Sequence, residues 1–123
     1  MSEIDELVQA FNAGLEGRDP AALEAAFAPG ALVWHNNDRK EVDAVGNMAA
    51  IAMLAQLVND LRCESIYLAP TPEGFVYRFV VHGTVASNGK PFEMQNCIFA
   101  TTSGGKFTRI DEYLDPTVGA QFA

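Results

Sequence analysis

The chain has 123 residues, 49% of them hydrophobic and 20% charged, enough for one domain with a sizeable core and too few for two. Its formal net charge of −8 and pI near 4.5 disfavour nucleic acid and anionic membrane as partners, since both reward basic patches. No apolar run approaches the ~20 residues of a membrane span, and the acidic start Met1-Ser2-Glu3-Ile4-Asp5-Glu6 is unlike a signal peptide, so a cytoplasmic protein is expected.

The first helical signal is Ser2 followed by Asp5, a capping-box pattern, with Ile4, Leu7, Val8, Phe11 and Leu15 at helical spacing behind it. This predicts a helix over residues 3–16. Asp19-Pro20 starts a second, short helix whose buried stripe is Leu23, Ala26 and Phe27 and which Pro29-Gly30 ends. Ala31-Leu32-Val33-Trp34-His35-Asn36 then reads as a strand. Alternation places Ala31, Val33 and His35 on one face, so an imidazole ends an otherwise apolar surface. That face is expected to line a pocket with His35 as its working end; a histidine satisfied by a loop carbonyl is the alternative.

Val42, Val45, Met48, Ala49, Ala52, Ala55 and Val58 predict a long third helix over residues 41–61, with Met48 and Met53 as packing residues. From Arg62 the period becomes two, and strands are predicted over 63–69, 75–86, 91–101 and 106–114, separated by turns. In a cytoplasmic protein Cys63 and Cys97 are expected to be reduced thiols, and their lack of CxxC spacing argues against a bound metal such as zinc or a redox motif. Three helices followed by a strand meander predict an α+β domain with a curved sheet wrapped around the long helix.

Asn88-Gly89 is a strong hairpin signal, because both turn positions need positive φ. A two-residue loop there pairs Val85 with Phe92, Gly83 with Met94, Val81 with Asn96 and Phe79 with Ile98. One face becomes Phe75, Tyr77, Phe79, Val81, Gly83, Val85, Phe92, Met94, Asn96 and Ile98; the other carries Arg78, Val80, His82, Glu93, Gln95, Cys97 and Phe99. His82 is therefore expected outside the pocket. Asn96 is expected inside, where a lone amide needs a partner or carries a desolvation cost of ~1–3 kcal/mol; an amide tied to backbone is the alternative. The last strand alternates Thr108, Ile110, Glu112 and Leu114 against Phe107, Arg109, Asp111, Tyr113 and Asp115, and pattern alone leaves Glu112 and Asp111 open as the inward acid.

Phe27-Ala28-Pro29-Gly30-Ala31-Leu32-Val33-Trp34-His35-Asn36 resembles the helix-to-strand passage of the SnoaL-like polyketide cyclases, ketosteroid isomerases and limonene epoxide hydrolases of the nuclear-transport-factor-2-like superfamily. Gly105-Lys106-Phe107-Thr108-Arg109-Ile110-Asp111-Glu112-Tyr113-Leu114-Asp115 is similar to that superfamily's closing strand. The resemblance implies a cone-shaped half-barrel of the cystatin-like kind, with three N-terminal helices packed on a curved, mixed, mostly antiparallel sheet, an apolar pocket and a homodimer joined through the outer sheet face. It places His35 where the isomerase has its carboxylate base and Asn96 where it has the protonated acid of its oxyanion hole. It places Glu112 at a pocket aspartate of the epoxide hydrolase, which favours Glu112 over Asp111. The isomerase's oxyanion tyrosine corresponds to Phe11, and the hydrolase's arginine and second aspartate to Phe79 and Val81, so neither known mechanism carries over unchanged.

The function expected is that of a cofactor-independent isomerase, cyclase or hydrolase acting on a small hydrophobic carbonyl or epoxide compound. His35 would be the general base, Glu112 its partner and Asn96 the donor to a developing enolate oxygen. Phe11, Val33, Met48, Tyr77, Phe79, Val81, Met94 and Ile110 would supply the substrate-binding wall. The alternatives are a non-catalytic binder of small lipophilic molecules and a dimerisation module with a vestigial pocket.

Overall fold

The computed structural model describes residues 2–123. Helix α1 spans Glu3–Glu16 and opens as its sequence requires: Ser2 Oγ accepts from the Asp5 backbone N–H at 3.1 Å, and Asp5 Oδ2 accepts from the Ser2 N–H at 3.3 Å. Helix α2, Pro20–Ala25, is capped by Asp19, whose Oδ1 accepts from the Ala22 N–H at 3.1 Å. It ends sooner than its apolar stripe suggests. The Ala26 carbonyl accepts from the Phe107 N–H at 2.9 Å, and Phe27 already belongs to strand β1, Phe27–His35. Gly30 then takes a φ of +78°, open to glycine without strain, inside the pairing irregularity between Phe27 and Leu32.

Both ends of the third helix differ from the sequence pattern. Residues 40–43 form β2, Lys40–Asp43, which pairs antiparallel with β1 and brings His35 opposite Lys40. Asp43 then caps α3, Ala44–Leu57, its Oδ1 accepting from the Gly46 N–H at 2.8 Å. With no glycine or proline to mark the exit, the apolar sequence runs straight into β3, Val58–Pro70. The Arg18 guanidinium closes this junction by donating to the Ala55 carbonyl at 2.8 Å and the Val58 carbonyl at 2.7 Å. Strands β4 (Gly74–Val85), β5 (Pro91–Ser103) and β6 (Lys106–Leu114) follow, and a 3-10 helix, Val118–Phe122, closes the chain.

The six strands lie in the order β2-β1-β6-β5-β4-β3, antiparallel throughout except for the parallel pair β1·β6. Three helices packed on this open, curved, mixed sheet make the α+β half-barrel expected, with the core between the helices and one sheet face. No helix among the described residues is long and apolar enough to cross a membrane.

The β4·β5 register is offset by two from the one counted from Asn88-Gly89. Thr84 faces Pro91, Val81 faces Met94 and Phe79 faces Asn96. The loop is four residues long, 86–89, bracketed by the Val85 N–H donating to the Lys90 carbonyl at 2.8 Å. Because side chains alternate with a period of two, an even offset leaves every residue on its expected face. Around Phe107 the alternation does break. A bulge between Thr101 and Thr102 in β5·β6 turns Phe107 inward, where it is fully buried against Phe11, Phe27 and Phe75. From Arg109 to Leu114 the expected alternation holds.

Gly83 permits close approach of β3. A Cβ there would overlap Val58 Cγ1 and lie 2.6 Å from the Asn59 carbonyl oxygen, beside the irregularity between Asn59 and Arg62. Gly83→Ala should therefore lower stability by about 1–3 kcal/mol through overpacking, read as a lower urea midpoint at constant m-value. An unchanged midpoint would mean that β3 yields freely at this point.

Candidate active site

The concave sheet face, α1, α3 and the C-terminal 3-10 helix line a half-open cavity of about 310 Å³. This is at the lower end of the range for small-molecule sites, which are mostly apolar with a few convergent polar groups. The walls follow that description. Phe11 and Leu15 come from α1, Ile51 and Leu54 from α3, Val33, Phe79, Val81, Met94, Ile98 and Ile110 from the sheet, and Val118 and Phe122 from the chain end. The chain end is held in place by Phe122 stacked on Phe92, with ring centroids 5.6 Å apart, and by Asn88 Nδ2 donating to the Gln121 and Ala123 carbonyls at 3.1 and 3.2 Å.

His35 and Glu112 meet in this cavity. Residues opposed in the parallel β1·β6 pair point to one side of the sheet, and His35 is opposed to Glu112. His35 Nε2 lies 2.9 Å from Glu112 Oε1, with both side chains mostly buried. Asn36 fixes the end of this ladder. Its amide mimics a further strand pair, donating from Nδ2 to the Leu114 carbonyl at 3.1 Å and accepting on Oδ1 from the Leu114 N–H at 2.9 Å. Asp111 points the other way, where Arg109 donates to it from Nε at 3.1 Å and to Glu41 from Nη1 at 2.6 Å.

The electrostatics follow from the contact. The hydrogen bond to Glu112 holds the imidazole above its ordinary pKa of 6.5; partial burial opposes this, and the charges of Glu112 and Asp38 add to it. In its neutral form the ring donates Nε2–H to the carboxylate, leaving the Nδ1 lone pair as the basic position.

Asn96 is 5% exposed and lines the cavity. Its Nδ2 donates to the Met94 carbonyl at 3.0 Å, and its Oδ1 has no hydrogen-bond partner. One end of the amide is tied to backbone, and the atom left over is a buried acceptor, not the donor that an enolate oxygen would need.

Two of the residues expected in the wall are not in it. Tyr77 is buried in the core, where its hydroxyl meets Ser65 Oγ at 2.6 Å and accepts from Asn12 Nδ2 at 2.9 Å, and its ring stacks on Phe79 at 4.8 Å. That hydroxyl is consumed by packing α1 on the sheet. Met48 packs against the core outside the cavity. The cavity face of α3 is instead Asn47, Ala50, Ile51 and Leu54, about 100° round the helix from Met48. Met53 lines the cavity too and is otherwise largely exposed, so it is not the packing residue expected. Phe11, Val33, Phe79, Val81, Met94 and Ile110 all line it. His82 sits on the opposite sheet face, paired with Glu64 at 2.9 Å.

Asn47 was not anticipated, although it is a lone amide in an apolar helix and the argument applied to Asn96 covers it equally. The loop residues Asn37 and Asp38 also reach the cavity rim. The thiols of Cys63 and Cys97 are free. Burial, with the Glu16 carboxylate adding to it, pushes the Cys63 thiol up to about 12, so it is no nucleophile at neutral pH. Among the described residues, no group of three or more His, Cys, Asp or Glu side chains is placed to hold a metal ion.

The fold is that of a SnoaL-like domain. The family model for that domain matches residues 8–110, and the chain belongs to the family. Solved structures share the architecture at low identity. IdmH of Streptomyces antibioticus, a candidate polyketide cyclase, superposes with a TM-score of 0.85 at 15% identity, covering 98% of each chain. AclR of Streptomyces galilaeus, a candidate hydroxylase, gives 0.83 at 14% identity over 94% of this chain and 76% of its own. A protein of Catenulispora acidiphila with a ketosteroid isomerase-like fold, in complex with trimethylamine, gives 0.77 at 17% identity over 88% and 84%. No curated protein matches the chain.

The His35–Glu112 contact has a direct consequence. Glu112→Gln keeps size and hydrogen-bonding ability but removes the charge, so the His35 pKa should fall in an NMR titration. Because that pKa is raised in the folded protein, the contact stabilises the fold fully below the unfolded value of about 6.5, and the increment is lost as pH rises through the folded value. The glutamine variant should lose most of this acid-side increment. The same His35 pKa in both proteins would show that the two groups are uncoupled.

Proposed function

We propose that the protein is a cofactor-independent enzyme of the isomerase, cyclase or hydrolase kind, acting by proton transfer on a small hydrophobic carbonyl or epoxide compound. The observation that carries this reading is a histidine–carboxylate pair at 2.9 Å inside a mostly apolar cavity. In the carbonyl case, His35 Nδ1 takes a proton from the carbon beside the carbonyl, and the C–H electron pair moves to make an enolate. Glu112 holds the ring in the Nε2–H tautomer and stabilises the imidazolium that forms, as a carboxylate does for histidine in a triad. The imidazolium then returns the proton, to a different carbon in an isomerisation or to a new alkoxide in a cyclisation. With an epoxide, the same base would take a proton from water as the water oxygen bonds to a ring carbon and the C–O bond there breaks, and the imidazolium would then give that proton to the alkoxide left behind. The apolar walls strengthen each of these charge interactions by excluding water.

The neutral imidazole is the active form, so turnover should rise with pH through the raised His35 pKa and then level off. His35→Ala should reduce turnover by about 10²–10⁴-fold while leaving ligand affinity within a few-fold. A panel of cyclic ketones, enones, epoxides and lactones tests the reading. Saturable binding with no turnover above buffer across the panel would leave a binding module in its place.

The proposed assembly is a homodimer through the outer sheet face. Val80, which belongs to that face, is only 3% exposed between Glu64 and Gln95, and does not contribute a patch. The support comes instead from an aromatic row across β1, β6 and β5. Trp34 packs on Tyr113 at 5.3 Å and Phe99 on Tyr113 at 6.0 Å, and Phe99 and Tyr113 remain 50% and 47% exposed. Light scattering at micromolar concentration should give twice the 13.3 kDa chain mass; a monomer would refute the dimer.

A further inference from the structure

We infer that Asn47 is a further catalytic residue of this site, whose Nδ2–H donates to the carbonyl oxygen of the bound substrate and holds that oxygen as it becomes an enolate. This rests on the proposed enzyme reading and supplies the donor that Asn96 spends on backbone.

Asn47 is 6% exposed and lines the cavity from near the start of α3. It shares a helix face with Ile51 and Leu54, four and seven positions on, which line the cavity too, so its side chain points into that space. The amides of Asn12, Asn36, Asn88 and Asn96 each bond to a protein group; that of Asn47 bonds to none among the described residues. Asn96 Oδ1 is the single fully enclosed side-chain oxygen or nitrogen without a partner among those residues, so both amide atoms of Asn47 keep contact with open space. Buried polar groups nearly always have partners. An open amide at this depth is met by water in the free protein and by ligand in the occupied one.

The other polar groups of the cavity are already committed. His35 gives Nε2–H to Glu112 and keeps Nδ1 as the base, Glu112 only accepts, and Asn96 donates from Nδ2 to the Met94 carbonyl at 3.0 Å. Asn37 and Asp38 stand exposed at the rim. Asn47 is thus the buried donor free to meet an oxygen, and with neither end bonded its amide can turn to present Nδ2. When His35 Nδ1 takes the α-proton, the C–H pair becomes the new C=C bond and the carbonyl π pair moves onto oxygen. The bond from Nδ2 then becomes charge-assisted, so it is stronger in the transition state than in the bound ketone.

The probes are α-tetralone with a carbon-13 carbonyl and tetralin, its oxygen-free counterpart. Above the His35 pKa, the carbonyl signal of tetralone bound to the unmodified protein should lie downfield of its position in hexane, as donation to the oxygen requires. In Asn47→Leu the signal should return to the hexane position, and tetralone affinity should fall about tenfold while tetralin binds at least as well. Exchange of the tetralone α-hydrogens in heavy water should slow by about 10²–10³-fold in the same variant. Leucine is the better helix former and leaves no polar atom unpaired, so this variant should melt no lower than the unmodified protein. His35→Ala should keep the downfield signal. A hexane-like signal in the unmodified protein would overturn the inference, and needs no variant to fold. A downfield signal that survives Asn47→Leu and is lost in Asn96→Leu would overturn it too, assigning the donor to Asn96. With α-hydrogen exchange still catalysed, either result leaves the enzyme reading standing. Binding of neither probe would count against the cavity reading and this inference together.

Discussion

The parallel pairing of β1 with β6 is the constraint on which the site depends. It joins a strand from the first third of the chain to the last strand, and it is the single parallel contact in the sheet. Opposed residues in such a ladder share a face, so the pairing of Val33 with Ile110 and of His35 with Glu112 puts two apolar walls and the ionisable pair on the same concave side. A slip of one residue would turn Glu112 outward and bring Asp111 in. The Asn36 amide guards against this by bonding both backbone groups of Leu114, and Arg109 holds Asp111 on the far face from Nε at 3.1 Å.

The rest of the fold supplies the surroundings in which that pair becomes useful. A histidine and a carboxylate in water interact by about 1 kcal/mol or less, whereas the same contact beside an apolar cavity is screened far less. Phe11 and Leu15 from α1, Ile51 and Leu54 from α3 and the long aromatic strand β4 exclude water without adding charge. The chain end supplies the last wall, tied to the β4–β5 loop through Asn88. The polar content is thereby confined to the His35–Glu112 pair, the two buried amides and the rim residues Asn37 and Asp38.

Much of this was legible in the sequence because face assignment depends on parity. The loop at Asn88-Gly89 is four residues long and not two, yet the even offset left Asn96 inside and His82 outside. Phe107 shows where parity fails, since a bulge is invisible to alternation and moved that residue to the other face. The phase of α3 was hidden for a different reason. The helix is apolar almost all round, so its pattern pointed equally well to Met48 and to the true cavity face at Asn47, Ile51 and Leu54. The same uniformity concealed both of its ends: the start depends on the local Asp43 cap, and the exit on Arg18, a contact made through tertiary structure. Tyr77 was placed on the correct face, but a face does not say whether a hydroxyl meets ligand or protein. Here Asn12 and Ser65 take it.

The most direct test of the account is the protonation pattern of the His35 ring, read from long-range proton–nitrogen NMR correlations above its pKa. A ring that donates to Glu112 and keeps a free basic nitrogen should carry its proton on Nε2, as a downfield, slowly exchanging signal, with Nδ1 showing the shift of an unprotonated nitrogen. A proton on Nδ1, or an Nε2 proton exchanging freely with water, would contradict it.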